Sequence, residues 1–127
     1  MAKQIRTAVA ELTQLGPNLI KEVYTAEQVH ELSIVEEHVR QCHEHFGVGG
    51  YYLTDIRKLK SAKKEAREYL RDHSQVVAVA ILVQGGLSML MGNLFIGFTK
   101  PPYLAKVFHK EELALAWLVK QGAELYP

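Results

Sequence analysis

The strongest constraint on the fold of this chain is a run, residues 76–99, that contains no charged side chain. The run is longer than the ~20 apolar residues that a membrane-spanning helix requires, so such a helix has to be considered. Its first part, VVAVAILV, is rich in β-branched residues, which is typical of a buried strand. Gln84-Gly85-Gly86 then interrupts the run, and the second part, LSMLMGNLFIGF, includes Ser88, Asn93 and two more glycines. The pattern therefore predicts a buried strand, a tight turn and a buried helix, with no membrane span.

The length and net charge of the chain restrict the kinds of protein that it can be. The chain has 127 residues and a formal net charge of +1, which suits one domain over residues 1–127. The near-neutral charge argues against a dedicated binder of nucleic acid or of anionic membranes. Cys42 is the one cysteine, so an internal disulfide is excluded and we expect a cytoplasmic protein. The first residues reach Glu11 before any apolar run develops, so we expect no signal peptide.

Strand-like and helix-like segments alternate along the chain. Periodicity and turn residues predict strands at residues 5–12, 19–24, 51–56, 76–83 and 104–108, and helices at 25–46, 62–73, 87–98 and 110–121. Thr25 and Gln28 form a capping-box pattern for the first helix, and Ser61 is placed to cap the second. In the last helix we expect Leu113 and Trp117 to face the core. The order ββαβαβαβα predicts an α/β fold with a mixed, mainly parallel sheet, an N-terminal hairpin and helices that cover the sheet.

One predicted helix carries a group of potential metal ligands. His38 and Cys42 are four residues apart and Cys42 and His45 are three apart, so each adjacent pair could share an ion. The three together fit badly, because His38 and His45 lie about 10 Å apart along the axis at ~1.5 Å per residue. Cys42 also lies in an apolar stripe, where a thiol usually packs as a small hydrophobic group. We therefore predict no metal site and no cofactor, with His38 and His45 flanking the core.

Candidate ligand-binding residues follow two of the predicted strands. Gly85, Gly86 and Ser88 come after the buried strand and open the next helix, so their N–H groups could hold a carboxylate or phosphate. The alternative is a tight turn that allows close packing. Asp55 and Arg57 end another strand at the same predicted edge of the sheet, where they could face a ligand or a partner. The alternative there is that Asp55 bonds the N–H groups of the following loop.

The helix predicted at 87–98 is apolar on nearly every side, unlike the surface helix of a monomer. Either it is enclosed within the protein, or it presents Met89, Met91, Phe95 and Phe98 to a second copy of the chain or to an apolar ligand. We favour a homodimer. The basic helix at 62–73 is interpreted as a solvated face rather than a nucleic-acid site, because overall charge is near zero.

The second half of the chain resembles a known group of proteins. The segments YYLTDIRKLKSAKKEAREYL, VVAVAILV and LSMLMGNLFIGFTKPPYLAKVFHKEELALAWL are similar to SpoIIAA-like proteins. These are small bacterial relatives of the STAS domain (sulfate transporter and anti-sigma-factor antagonist). The resemblance implies a mixed sheet of four or five strands covered by helices. It also implies a non-enzymatic role in protein interaction or ligand sensing.

The resemblance has a weak point at the site that regulates STAS antagonists. In those proteins a phosphorylatable serine follows an aspartate, at the start of the helix after the strand that matches residues 53–56. Asp55 fits the end of that strand, but the helix start reads Ser61-Ala62-Lys63-Lys64-Glu65-Ala66. Ser61 is the one serine there that could accept a phosphate, and it lies about two or three positions early, so control by a serine kinase is in doubt.

We therefore expect a non-catalytic interaction or regulatory module that acts through contacts with an unidentified protein partner. The alternative is a sensor or carrier of a small anionic or lipid-like apolar ligand. An enzyme would need an acid and a base that converge in one cleft, and Asp55 with His109 is the pair that the predicted strand ends suggest. We therefore predict no catalytic residue.

Overall fold

The computed structural model describes residues 3–96 and 101–127. The strands in these ranges are β1 (Gln4–Arg6), β2 (Ala10–Gln14), β3 (Leu19–Tyr24), β4 (Gln28–Val29), β5 (Gly50–Asp55), β6 (Ser61–Ala62), β7 (Val76–Leu82) and β8 (Leu104–Phe108). The helices are α1 (Leu32–Phe46), α2 (Lys64–His73), α3 (Gly86–Leu94) and α4 (Glu111–Gln121).

The central sheet has six strands in the order β1-β2-β3-β5-β7-β8. The pairs β1–β2 and β2–β3 are antiparallel, whereas β3–β5, β5–β7 and β7–β8 are parallel. The predicted mixed, mainly parallel sheet with an N-terminal hairpin is thus confirmed. The sheet has more strands than the four or five that the resemblance implied. The short strands β4 and β6 form a separate parallel pair beside it.

Within the described residues the uncharged run folds as a strand, a turn and a helix, as predicted, but the helix is not buried throughout, because Met89 and Leu90 are 38% and 50% exposed. Strand β7 is followed by Gly85 and Gly86, whose φ angles are 99° and 58°, and α3 begins at Gly86. Glycine suits this turn because residues with a side chain rarely adopt positive φ. Among the described residues, no helix is long and apolar enough to cross a membrane.

The two faces of the sheet are covered by different helices. In β7, Val79 and Ile81 pack in the larger hydrophobic cluster, which also contains residues of α1, α2 and α3. The intervening residues Ala78, Ala80 and Leu82 belong to a second cluster with residues of α4. The strand is therefore buried on both faces, which explains its near-continuous apolar sequence.

The N-terminal predictions need two corrections. The strand predicted at 5–12 is wrong, because the chain reverses direction between β1 and β2. Thr7 drives that turn, since its Oγ1 accepts the backbone N–H groups of Val9 and Ala10 at 3.3 and 3.1 Å. The first helix begins at Leu32 rather than Thr25, because the N–H of Thr25 bonds the carbonyl of Val9 and keeps this segment extended.

Two predictions about helix ends and faces are also wrong. Ser61 does not cap α2, since it lies in β6 and the N-cap residue is Lys63, with no side-chain cap bond. In α4, Leu113 is 56% exposed, whereas Ala114 and Leu118 are buried against the sheet. The helix is rotated by about one residue from the predicted orientation, and Trp117 is only half-buried.

Candidate functional site

A cavity of about 110 Å³ lies between the sheet and the three helices α1, α2 and α3. Its deepest walls are buried residues of the sheet, such as Tyr52 and Val79. On the side of α2 and α3 the lining residues are only half-buried, and they include Leu70, Met91 and Phe95. We interpret this side as the entrance. For comparison, an engineered apolar cavity of ~150 Å³ accommodates benzene.

One wall of this largely apolar cavity carries a buried polar cluster. Glu22 of β3 and His38 of α1 are 7% and 2% exposed. Glu22 Oε2 lies 2.7 Å from His38 Nε2, and the Thr54 hydroxyl donates to Glu22 Oε1 at 3.0 Å. On the other side of the ring, His38 Nδ1 lies 2.7 Å from Thr7 Oγ1. We call these four residues the polar cluster.

The hydrogen-bond inventory of Thr7 assigns the proton positions in the polar cluster. Thr7 Oγ1 already accepts two backbone N–H groups, which use both of its lone pairs. Its one hydrogen has two acceptors in reach, His38 Nδ1 at 2.7 Å and the Ala10 carbonyl at 3.5 Å. The shorter contact is the better bond, so Thr7 donates to Nδ1 and the His38 proton is on Nε2. A neutral His38 therefore donates to the Glu22 carboxylate.

Cys42 adds a thiol to the same wall. Its Sγ lies 3.8 Å from His38 Nε2, one helical turn away. Burial, with a smaller contribution from the Glu22 charge, raises the pKa of the Cys42 thiol far above its usual value. Burial likewise raises the pKa of Tyr52 beside it. Both groups are therefore protonated at neutral pH, and Cys42 has no nucleophilic thiolate.

Glu22, His38 and Cys42 also satisfy the distance criterion for a metal site, because their ligand atoms lie within 4.8 Å of one another. Two of these residues, His38 and Cys42, were considered as a metal pair from the sequence, whereas His45, expected to flank the core, is exposed. The hydrogen bonds fit a metal poorly. If Nε2 bound an ion, Nδ1 would have to donate its proton to Thr7 Oγ1, whose lone pairs are already used. The donor set suits a hydrogen-bonded cluster better.

Arg67 of α2 also lines the cavity, and its hydrogen bonding is incomplete. Its Nη1 donates to the Ala62 carbonyl at 2.6 Å. Its Nε is buried and has no hydrogen-bond partner among the described residues. A buried donor without a partner costs about 1–3 kcal/mol, and a charged group costs more. This nitrogen is therefore a point where a bound molecule could gain energy.

The predicted binding residues at the carboxyl edge of the sheet come together in part. Arg57, Gly85 and Ser88 line one surface cleft. Asp55 lies beside it and accepts the Arg57 N–H at 3.0 Å, which confirms the predicted bond to the following loop. The guanidinium of Arg57 also donates hydrogen bonds to this carboxylate, and these bonds raise the pKa of Arg57. Ser61 is not part of the cleft, since its Oγ contacts His30 Nε2 at 2.7 Å.

The turn at this edge has its own hydrogen-bonding explanation. Ser88 Oγ accepts the Gln84 N–H at 3.1 Å and donates to the Gly85 carbonyl at 3.2 Å. Ser88 is thereby used to close the turn, and exposed Gly86 does not line the cleft. An anion site there stays a prediction.

The residues predicted for an apolar contact surface occupy different places. Met89 is 38% exposed on the outside of α3. Met91 and Phe95 instead line the cavity. Phe98 lies outside the described residues. The predicted contact surface therefore combined one exposed residue, Met89, with two residues that line the cavity, Met91 and Phe95.

Comparisons with known proteins identify the family of the chain and a solved structure with a similar fold. A family model described as Domain of unknown function (DUF7793) matches residues 15–121. No curated protein matches the chain. A similar solved structure is the crystal structure of an uncharacterised protein of the DUF3478 family, with a SpoIIAA-like fold, from Shewanella loihica PV-4. It shares 19% identity over 93% of this chain and 92% of that chain, with a TM-score of 0.55. This similarity supports the predicted STAS-like fold.

Proposed function

Because the chain belongs to the DUF7793 family, whose description assigns no activity, we propose a role from the geometry of the cavity. The protein is a non-catalytic regulatory module that binds a small, largely apolar molecule between the sheet and helices α1, α2 and α3. The observation that supports this proposal most directly is the cavity, which has a volume of about 110 Å³ and lies next to the buried polar cluster. Native interiors hold few voids larger than a water molecule.

The energetic cost of the cavity supports a role in binding. At ~24 cal/mol per Å³, a void of this size destabilises a domain by roughly 2–3 kcal/mol. A ligand that fills it recovers much of that free energy as contacts. The half-buried residues on α2 and α3 give such a ligand a way in, so occupancy can alter the surface that a partner protein would contact.

The side chains around the cavity support a binding role over a catalytic one. Cys42 is a buried thiol, and Glu22 and His38 are held by each other and by two threonines. Of the pair suggested from the sequence, Asp55 is held by Arg57 and His109 is exposed. None of these groups is arranged as an acid and a base that face one substrate.

A matched pair of variants tests the proposal. Val79→Phe fills the cavity from its sheet wall, whereas Val77→Phe adds the same ring to a 40% exposed position of the same strand. We expect toluene to shift the NMR signals of Cys42, Tyr52 and Met91 in the wild type and in Val77→Phe, but not in Val79→Phe. Native mass spectrometry of freshly purified protein should show a co-purified small molecule. If saturating toluene moved none of these signals in the wild type, the proposal would be wrong.

Self-association is a second candidate role, favoured by exposed apolar side chains on α3 and on an edge strand of the sheet. Met89 and Leu90 of α3 are 38% and 50% exposed, and Leu104 of edge strand β8 is 52% exposed. Covering these residues in a homodimer would remove apolar area from water. Light scattering at tens of micromolar tests this role. A monomer would exclude it without affecting the cavity, whereas a dimer should dissociate in Leu104→Glu.

A further inference from the structure

We infer that the ligand of the cavity is a small apolar carboxylic acid, bound as its carboxylate by the unused edge of the Arg67 guanidinium. This inference rests on the proposed function, because it assumes that the cavity binds a ligand. It adds the chemical class of that ligand and the residue that selects it.

The other arginines of the chain show what Arg67 lacks. Five arginines occur in the sequence, and four of them form an ion pair with a carboxylate: Arg6 with Glu11, Arg40 with Glu37 and Glu44, Arg57 with Asp55, and Arg71 with Asp72. Arg67 forms no such pair within residues 3–96 and 101–127. It is also the arginine that lines the cavity. A guanidinium stays charged at any physiological pH, so an anion is the partner that its position lacks.

The edge of Arg67 that remains unused has the shape for a carboxylate. Nη1 is turned toward the Ala62 carbonyl, which leaves the edge formed by Nε and Nη2. Two parallel N–H groups on one edge match the two oxygens of a carboxylate. Arg57 shows this pairing in the same protein, since its Nε and Nη2 hold Asp55 at 3.0 and 2.7 Å. In Arg67 the buried Nε has no partner among the described residues.

The polar cluster fixes the orientation of the ligand. Both oxygens of Glu22 already accept a hydrogen bond, from His38 and from Thr54. A second carboxylate near Glu22 would be repelled, so the charged end of the ligand lies at Arg67 on the helical side. The apolar end points to the walls formed by Tyr52 and Val79. At about 110 Å³ the cavity suits an apolar group no larger than a benzene ring.

Three probes built on the same six-membered ring test the inference with the full chain. Toluene, benzoate and benzylamine share the ring and differ in the charge of their polar group. We expect NMR titration at pH 7 to give a benzoate affinity about tenfold or more above that of toluene. Benzylamine should bind more weakly than either. If toluene binds and benzoate binds no better, the inference is overturned and the proposed function stands. If none of the three binds, the proposed function fails as well.

Variants of Arg67 separate recognition of the charge from the fold. Arg67→Gln should lower the benzoate affinity to that of toluene or below, because the carboxylate then lacks its cation, and should leave the toluene affinity unchanged, which also shows that the cavity is still formed. Arg67→Lys should retain part of the preference for benzoate, because an ammonium group supplies the positive charge but cannot donate two parallel hydrogen bonds to a carboxylate. Arg40→Gln removes the same charge from an exposed position of α1 and should change neither affinity. Equal benzoate binding by the wild type and Arg67→Gln would overturn the inference.

Discussion

The contact between Glu22 and His38 makes a specific energetic prediction. Each residue supplies the partner that the other needs inside the protein, at 2.7 Å and with almost no exposure. Replacing one of them leaves the other as a buried polar group without its hydrogen-bond partner. Replacing both by apolar residues leaves neither group unsatisfied. We therefore expect strong non-additivity between Glu22→Met and His38→Leu, two substitutions that keep approximate side-chain volume.

The expected magnitudes follow from the bonds that each variant loses. His38→Leu leaves the buried Glu22 carboxylate with Thr54 as its remaining donor, which should cost about 3 kcal/mol or more of unfolding free energy, because a lost bond to a buried charged group costs more than one to a neutral group. Glu22→Met leaves the Nε2–H of His38 with the sulfur of Cys42, a weak acceptor at 3.8 Å, which should cost about 1–3 kcal/mol. In the double variant both members of the Glu22–His38 bond are absent, and the hydroxyl of Thr7 can turn to the Ala10 carbonyl. Its cost should therefore be smaller than that of His38→Leu alone, so the coupling energy should exceed the cost of Glu22→Met and be at least about 1 kcal/mol.

Urea unfolding followed by circular dichroism measures this cycle, provided that the m-value stays constant across the four proteins. The control cycle uses Glu37→Met and Arg40→Leu, an exposed ion pair three residues apart on α1. Its coupling should lie within experimental error, since exposed pairs contribute little. An additive result at Glu22 and His38 would refute the assigned hydrogen bonds.

Three further predictions concern reactivity, pH and backbone packing. Cys42 should resist iodoacetamide at pH 8 in the folded protein and react in urea, because burial keeps it protonated; equal rates would contradict its placement. Desolvation lowers the pKa of His43, so the folded state resists protonation. The wild type should therefore lose more stability than His43→Gln, measured by urea midpoints, as the pH falls from 7 through the unfolded value of ~6.5 toward 5. Gly16→Ala should destabilise by about 3 kcal/mol or more because its Cβ would meet the Glu124 carbonyl, whereas Gly49→Ala, with open space and φ +78°, should cost about 1–2 kcal/mol in the same assay.

The central part of the fold could be predicted because its signals are local. The uncharged run contains β-branched residues, then paired glycines, then an apolar helix, and each step has one simple structural reading. The N-terminal segment lacks such signals. There the turn at Thr7 depends on a side chain that bonds the backbone two and three residues later, which hydrophobic periodicity does not reveal.

The polar cluster was missed although part of its signal was in the sequence. Ile20, Glu22 and Tyr24 alternate along β3, so the side chain of Glu22 must share a face with two apolar residues. His38 similarly lies on the buried side of α1. Their contact depends on how α1 packs on the sheet, which no local pattern specifies. The unused edge of Arg67 is even harder to predict from the sequence. It is recognised only because Arg67 Nε has no hydrogen-bond partner among the described residues.

The location of these features supports a common explanation. A buried Glu–His pair is often replaceable by apolar residues at little cost, so stability alone does not require it. A void of about 110 Å³ and an unsatisfied guanidinium N–H each lower stability, in a domain whose total is about 5–15 kcal/mol. All three occur around one space, and packing faults of independent origin would be scattered. A binding site that awaits an amphipathic acid explains why they coincide. It also predicts that benzoate raises the melting temperature of the wild type more than that of Arg67→Gln.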